Sequence, residues 1–270
     1  MSTVHFVGGE KGGVGKSVVA RALAQLFIDR GIPFAALDAD RSHGALVRYY
    51  ADYTQRVDLD DLQSADRILE SALEAERLVL VDLPSQSNGA LERWMEETGI
   101  VSFARECEVR LVFWHVTDGG FDSVSQLDRV LEVAGGSLDH VVVKNQGRSK
   151  NFSQFEASSA HRRLLELGSP IVTLPELDAA VMYEIDRFGS SFWAAINTSH
   201  GSQALSPLAR RRAQLWLERA QKALAEAIEW QPVVQGSPEV RESIVVPKPD
   251  AEARGQFEDV AQPIDGSAAN

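Results

Sequence analysis

Lys11-Gly12-Gly13-Val14-Gly15-Lys16-Ser17 is the stretch that decides how the rest of this chain is read. It stands between a short apolar run, Val4-His5-Phe6-Val7, and a segment whose Val18, Ala22, Leu26 and Phe27 share one helical stripe. A glycine-rich turn between a strand and a helix is the setting of a phosphate loop. Glycines let backbone N–H groups close on phosphate without Cβ clashes. The helix N-terminus adds partial positive charge. In such a loop Lys16 neutralises the β- and γ-phosphates and Ser17 ligates magnesium, so the pattern implies ATP and Mg2+ as cofactors. The strict pattern opens on a glycine, and Glu10 stands there instead. A carboxylate near phosphates is electrostatically odd, and the expectation is that it points away.

Outward from the loop, strands and helices alternate. Helix 17–29 ends at Gly31, a C-cap glycine. Strand 33–37 ends on Asp38. Helix 64–76, with Ser64 as N-cap, precedes strand 78–81, which ends on Asp82. Helix 88–98, strand 109–116, helix 121–134, strand 138–144, helix 152–167 and strand 170–174 follow. Alternation of this kind predicts an α/β fold: a doubly wound, mostly parallel sheet covered on both faces, the three-layer P-loop NTPase architecture. Residues 204–230 read as one long amphipathic helix, with Ala209, Ala213, Trp216, Ala220, Leu224 and Ala227 facing the core. Trp94, Trp114 and Trp193 are expected in the core as well.

The domain is thus placed at 1–230. From Gln231 the composition changes. Residues 231–270 hold five of the ten prolines, and seven acids outnumber three bases. They read as a disordered or loosely docked acidic tail.

The 270 residues are 44% hydrophobic and carry a net charge of −12. That charge argues against a surface built wholly for nucleic acid. One cysteine, Cys107, excludes an internal disulfide and points to a reducing compartment. No apolar run is long enough to span a bilayer, and Met1 to Gly8 reads as a strand rather than a leader. The expectation is a cytoplasmic protein with no membrane contact.

A lysine opening KGGVGKS is the deviant form of the loop, and here the chain resembles the ParA/MinD superfamily of ATPases. The resemblance implies that Lys11 reaches across an ATP-bound homodimer to the partner's nucleotide. It also assigns the acids. Leu37-Asp38-Ala39-Asp40 makes Asp40 the residue that positions attacking water, with Asp38 beside the magnesium shell. Val79-Leu80-Val81-Asp82-Leu83-Pro84 matches the Walker B strand, with Asp82 on magnesium through water. Physically, carboxylates at the carboxyl ends of such strands share one crevice with the loop. A solvated turn aspartate is the alternative for Asp38, Asp40 and Asp82. Asn145, after Val143-Lys144, resembles the asparagine that reads adenine, with a plain cap or turn residue as the alternative. Pro175, in Leu174-Pro175-Glu176-Leu177, resembles the loop bordering the base. Catalytic work would fall to Lys11, Lys16 and Asp40, and nucleotide contacts to Gly12, Gly13, Val14, Gly15, Lys16 and Ser17.

Asp40 and Asp82 lie 42 positions apart, closer than in partition and division-site relatives. The pairing of Asp-Ala-Asp-Arg-Ser with Asp-Leu-Pro-Ser-Gln-Ser looks like the plasmid conjugal-transfer, mobilisation and stability branch. The resemblance therefore implies an ATP-driven dimerisation switch that positions, partitions or maintains DNA or a cellular cargo. Its hydrolysis would be stimulated by an activating or cargo protein. Arg148 and Lys150, Arg162 and Arg163, and Arg210 to Arg212 are candidates for non-specific DNA contact, or simply solvated helix faces. The alternative activity is a metabolic ATP-dependent ligase of related fold, which needs no Lys11. A metal-cluster carrier would want a paired CxxC, which Cys107 does not supply.

Overall fold

The computed structural model describes residues 1–134 and 138–230; the tail expected at 231–270 lies outside the described residues. The strands are β1 (Thr3–Gly8), β2 (Phe34–Asp38), β3 (Thr54–Arg56), β4 (Leu78–Asp82), β5 (Arg110–Thr117), β6 (Asp139–Asn145) and β7 (Ile171–Leu174). They form one sheet in the order β3-β2-β4-β1-β5-β6-β7, and every pairing is parallel. The expected mostly parallel sheet is thus parallel throughout. Parallel strands align their carboxyl ends on one edge. Gly8, Asp38, Asp82, Thr117, Asn145 and Leu174 all end strands there, which is why residues far apart in sequence can share one crevice.

Two layers of helix cover the sheet. On one face lie α1 (Lys16–Asp29), α2 (Ala45–Tyr49), α9 (Ala179–Phe188), α10 (Phe192–Asn197) and α11 (Pro207–Ile228). On the other lie α3 (Leu62–Leu73), α4 (Asn88–Thr98), α5 (Ile100–Glu106), α6 (Phe121–Ala134), α7 (Ser153–Glu156) and α8 (Ser159–Glu166). β6 shows the division residue by residue. Val141 and Val143 join the first core, and Val142 joins the cluster under α6 and α8, as the two-residue period of a strand requires. The whole α11 stripe anticipated from Ala209 to Ala227 is buried.

Several expectations change. α3 starts earlier, capped by Asp61, whose carboxylate accepts from Gln63 and Ser64 N–H. Ser64 Oγ instead accepts from Asp58 N at 2.9 Å. The single helix expected over 152–167 is two, α7 and α8, because Ser158 adopts an extended backbone and caps α8 through His161 N. α11 begins at Pro207 rather than 204, with Ser206 as its cap. Trp94, Trp114 and Trp216 are buried, but Trp193 is 58% exposed, since α10 turns its Phe192 inward.

Candidate nucleotide site

The phosphate loop joins β1 to α1 at the carboxyl edge. Gly13 and Gly15 have φ of 77° and 100°, a region closed to ordinary side chains. At Gly15 space forbids one too, since a Cβ would stand 2.2 Å from Asn145 Nδ2. α1 opens directly from Gly15 with no side-chain cap and no acid in its first turn. Its leading end is therefore left to an anion.

Lys16 is buried, and its Nζ donates to Lys11 O and Ser85 Oγ, both at 3.0 Å. Burial lowers its pKa, opposed by the charges of Asp82, Glu10 and Asp40. This is a desolvated ammonium with neutral partners only, which a phosphate group would satisfy better.

β2 and β4 bring Asp38 and Asp82 into register side by side. Asp38 accepts Asp40 N on Oδ1 (3.0 Å) and Val47 N on Oδ2 (3.1 Å), and burial raises its pKa. Asp82 is different. It is fully buried, and neither oxygen has a hydrogen bond of good geometry. Burial and the Asp38 charge push it up to about 8, although the Ser17 hydroxyl and Lys16 favour its charged form. An orphaned carboxylate beside a serine hydroxyl fits a hard divalent cation. Among the described residues no three His, Cys, Asp or Glu side chains form a metal cage on their own. Such a cation would need phosphate oxygens and water to complete its shell, as magnesium commonly does.

Asp40 lies in the loop after β2. Its Oδ1 accepts Ser42 N (2.8 Å) and His43 N (3.0 Å), with His43 Nδ1 at 3.8 Å from Oδ2. Arg41, next in the chain, pairs with Asp58.

Asn145 is buried and ties two loops together. Its Nδ2 donates to Val14 O at 2.7 Å, and its Oδ1 accepts Gly147 N at 3.0 Å. It also borders a cavity of about 290 Å³ beside the loop, with Val18, Arg148, Pro175, Tyr183 and Trp216. Pro175 O accepts Trp216 Nε1 at 2.7 Å, fixing that wall to α11.

Lys11 does not join the others. Its Nζ reaches Asp118 Oδ2 at 2.7 Å, and that hydrogen bond raises its pKa. Asp118 Oδ1 accepts Ser123 Oγ and Gly120 N. Sequence reasoning missed Asp118 and Ser85. Asp118 was findable, because it follows the end of β5 at the same edge as Asp38 and Asp82. Ser85 carried no comparable signal. The basic residues are not brought together either. Arg162 and Arg163 sit on α8 and Arg210 to Arg212 on α11, in opposite layers.

Fold and loop together are those of the P-loop α/β fold: a parallel sheet with a glycine-rich loop between β1 and α1. A solved MinC:MinD cell division protein complex from Aquifex aeolicus superposes with a TM-score of 0.52, covering 86% of this chain and 98% of that one at 13% identity. That likeness is one of fold. In sequence, Protein MobD of Acidithiobacillus ferrooxidans is 24% identical over 188 residues, 68% of this chain and 82% of that protein. Protein TraL of Escherichia coli is 26% identical over 191 residues, 66% and 78% respectively. No family model matches the chain.

Proposed function

We propose that this chain is an ATP-dependent dimerisation switch of the ParA/MinD type, which hydrolyses ATP to position, partition or maintain DNA or a protein cargo. The observation that carries the reading is the buried Lys16 ammonium and the fully buried Asp82 carboxylate, near enough for each charge to act on the other. The hydrogen-bonding neighbours of both are neutral, and a magnesium-bound phosphate would satisfy cation and carboxylate together. In this reading Lys16 and the N–H groups of the 12–17 loop hold phosphate, and Ser17 and Asp82 hold the metal, with Asp38 bracing the neighbouring loop. The cavity beside Asn145 and Pro175 takes the base. Asp40 orients the attacking water, and Lys11 leaves Asp118 to meet the partner's phosphates. Magnesium supplies charge neutralisation at the transferred phosphoryl group when bound.

The test is Asp40→Ala, with phosphate release and light scattering measured together. The variant keeps every phosphate contact, so it should bind ATP, turn over at least about tenfold more slowly, and accumulate as a dimer. Undiminished hydrolysis would remove Asp40 from the mechanism. A monomer with bound ATP would sink the switch.

A further inference from the structure

We propose that Glu10 is a positioning residue that ties helix α4 to the phosphate loop and lets it go when phosphate binds; this rests on the nucleotide reading above. Two side-chain contacts hold the segment 83–88 against the loop, beside a backbone bond from Leu83 N to Val7 O at 3.0 Å. Lys16 Nζ donates to Ser85 Oγ at 3.0 Å, and Glu10 Oε1 accepts Asn88 N at 2.7 Å. A longer bond runs from Gln86 N to Glu10 O at 3.3 Å. Nothing local replaces them. Ser87, the N-cap of α4, makes no side-chain capping bond, because its hydroxyl donates to Pro84 O. Gln86 is held at φ 61°, an uncommon and strained place for a residue with a Cβ. A first turn without its own cap, reached through a strained residue, stays in place only while something outside holds it. Glu10 does this from the position where a phosphate loop ordinarily has glycine. Its carboxylate also complements the helix dipole.

Both contacts weaken in the same event. Phosphate at the loop draws Lys16 away from Ser85, because a charge-assisted bond displaces a neutral one. The same phosphate sets negative charge near Glu10, whose own charge already acts on Lys16. The first turn of α4 then loses one side-chain tie outright and has the other opposed, while the strain at Gln86 favours movement and the buried Leu91 and Trp94 keep the rest of the helix on the core. α4 exposes Glu92, Arg93, Glu96 and Glu97, so the change is displayed on a charged face where a partner can read it.

Amide hydrogen exchange on the full chain tests this, with wild type, Glu10→Gly and Glu10→Gln compared with and without Mg-ATP. Without nucleotide, Glu10→Gly should exchange Asn88 N–H roughly tenfold faster than wild type. Wild type should approach that rate when ATP is added, and Glu10→Gly should change little. Glu10→Gln can accept the same bond without a charge, so it should keep its protection and respond less to ATP. Equal Asn88 exchange in all three nucleotide-free proteins overturns the tie. An ATP response of the same size in all three overturns the coupling. Binding of a fluorescent ATP analogue is measured alongside. Its absence in all three would overturn the nucleotide reading itself, whereas intact binding without the Asn88 response overturns only the role of Glu10.

Discussion

Asp82 is fully buried, has no hydrogen bond of good geometry on either oxygen, and feels the charge of the neighbouring Asp38 carboxylate. In the nucleotide-free protein it opposes folding. The unfolded chain releases its proton near the ordinary 3.8, whereas the folded chain holds it to about 8. Folding therefore takes up a proton between these values, and this group's contribution to stability falls as pH rises from about 4 to about 8. Asp82→Asn removes the titration. In chelator-treated protein it should be more stable than wild type by about 1–3 kcal/mol at pH 8. The advantage should shrink at pH 5.5. Urea unfolding at both values measures it, and an equal gap at the two would refute the assignment. Lys16→Ala works in the opposite direction. It removes a desolvated cation and with it the compensation of phosphate charge, so affinity for a fluorescent ATP analogue should fall at least about a hundredfold. Wild-type affinity in that variant would remove the loop from nucleotide binding.

Among the elements, the best-read ones were those whose sequence carried both a period and a terminator. α4 and α6 have the anticipated bounds, and α1, β4 and β6 differ from them by a residue. The site followed, since a parallel sheet sends Asp38, Asp82 and Asn145 to one edge once the strands are known. The short pieces escaped: α2, α5, α9, α10 and the three residues of β3. α2, α5, α10 and β3 are too brief for a helical or strand period to stand out, and tertiary packing holds them; α9, with Asp178 before it and Gly189 after it, carried both signals and was legible. The extra roles at Asp118, Ser85 and Glu10 escaped because they depend on loops meeting across the edge. Asn145 is the element-scale hinge of this arrangement, joining β6 to the phosphate loop. Asn145→Ala leaves Val14 O without its donor and Gly147 N without its acceptor. It should cost about 1–3 kcal/mol in thermal or urea unfolding. An unchanged midpoint would mean that the two loops do not depend on each other.

At the scale of the whole molecule, a net charge of −12 sets the terms for any contact with DNA. The clusters on α8 and α11 lie in opposite layers, so one subunit does not present them as one continuous patch. Binding should therefore be weak in the monomer, appear with ATP as two copies of each cluster are joined, and ignore sequence. Each phosphate contact should add roughly 0.9 to the slope of log affinity against log salt. Gel shifts of unrelated duplexes with the Asp40→Ala protein, with and without ATP, measure this. No shift at low salt in the ATP form would turn attention to a protein cargo.

The strand order has a consequence for how the chain comes into being. β1 is made first and lies at the centre of the sheet, but its two neighbours are β4 and β5, with Thr3 opposite Leu78 and Arg110. Until residues 78–82 and then 110–115 have been synthesised, six buried strand residues have no partner for their backbone groups and no core to enter. Long-range parallel pairing is intrinsically slow, and its exposed intermediates aggregate. Nascent chains halted before β5 should therefore be protease-sensitive throughout β1 and should bind a holdase chaperone. Chains halted after β5 should begin to show protection at the N-terminus.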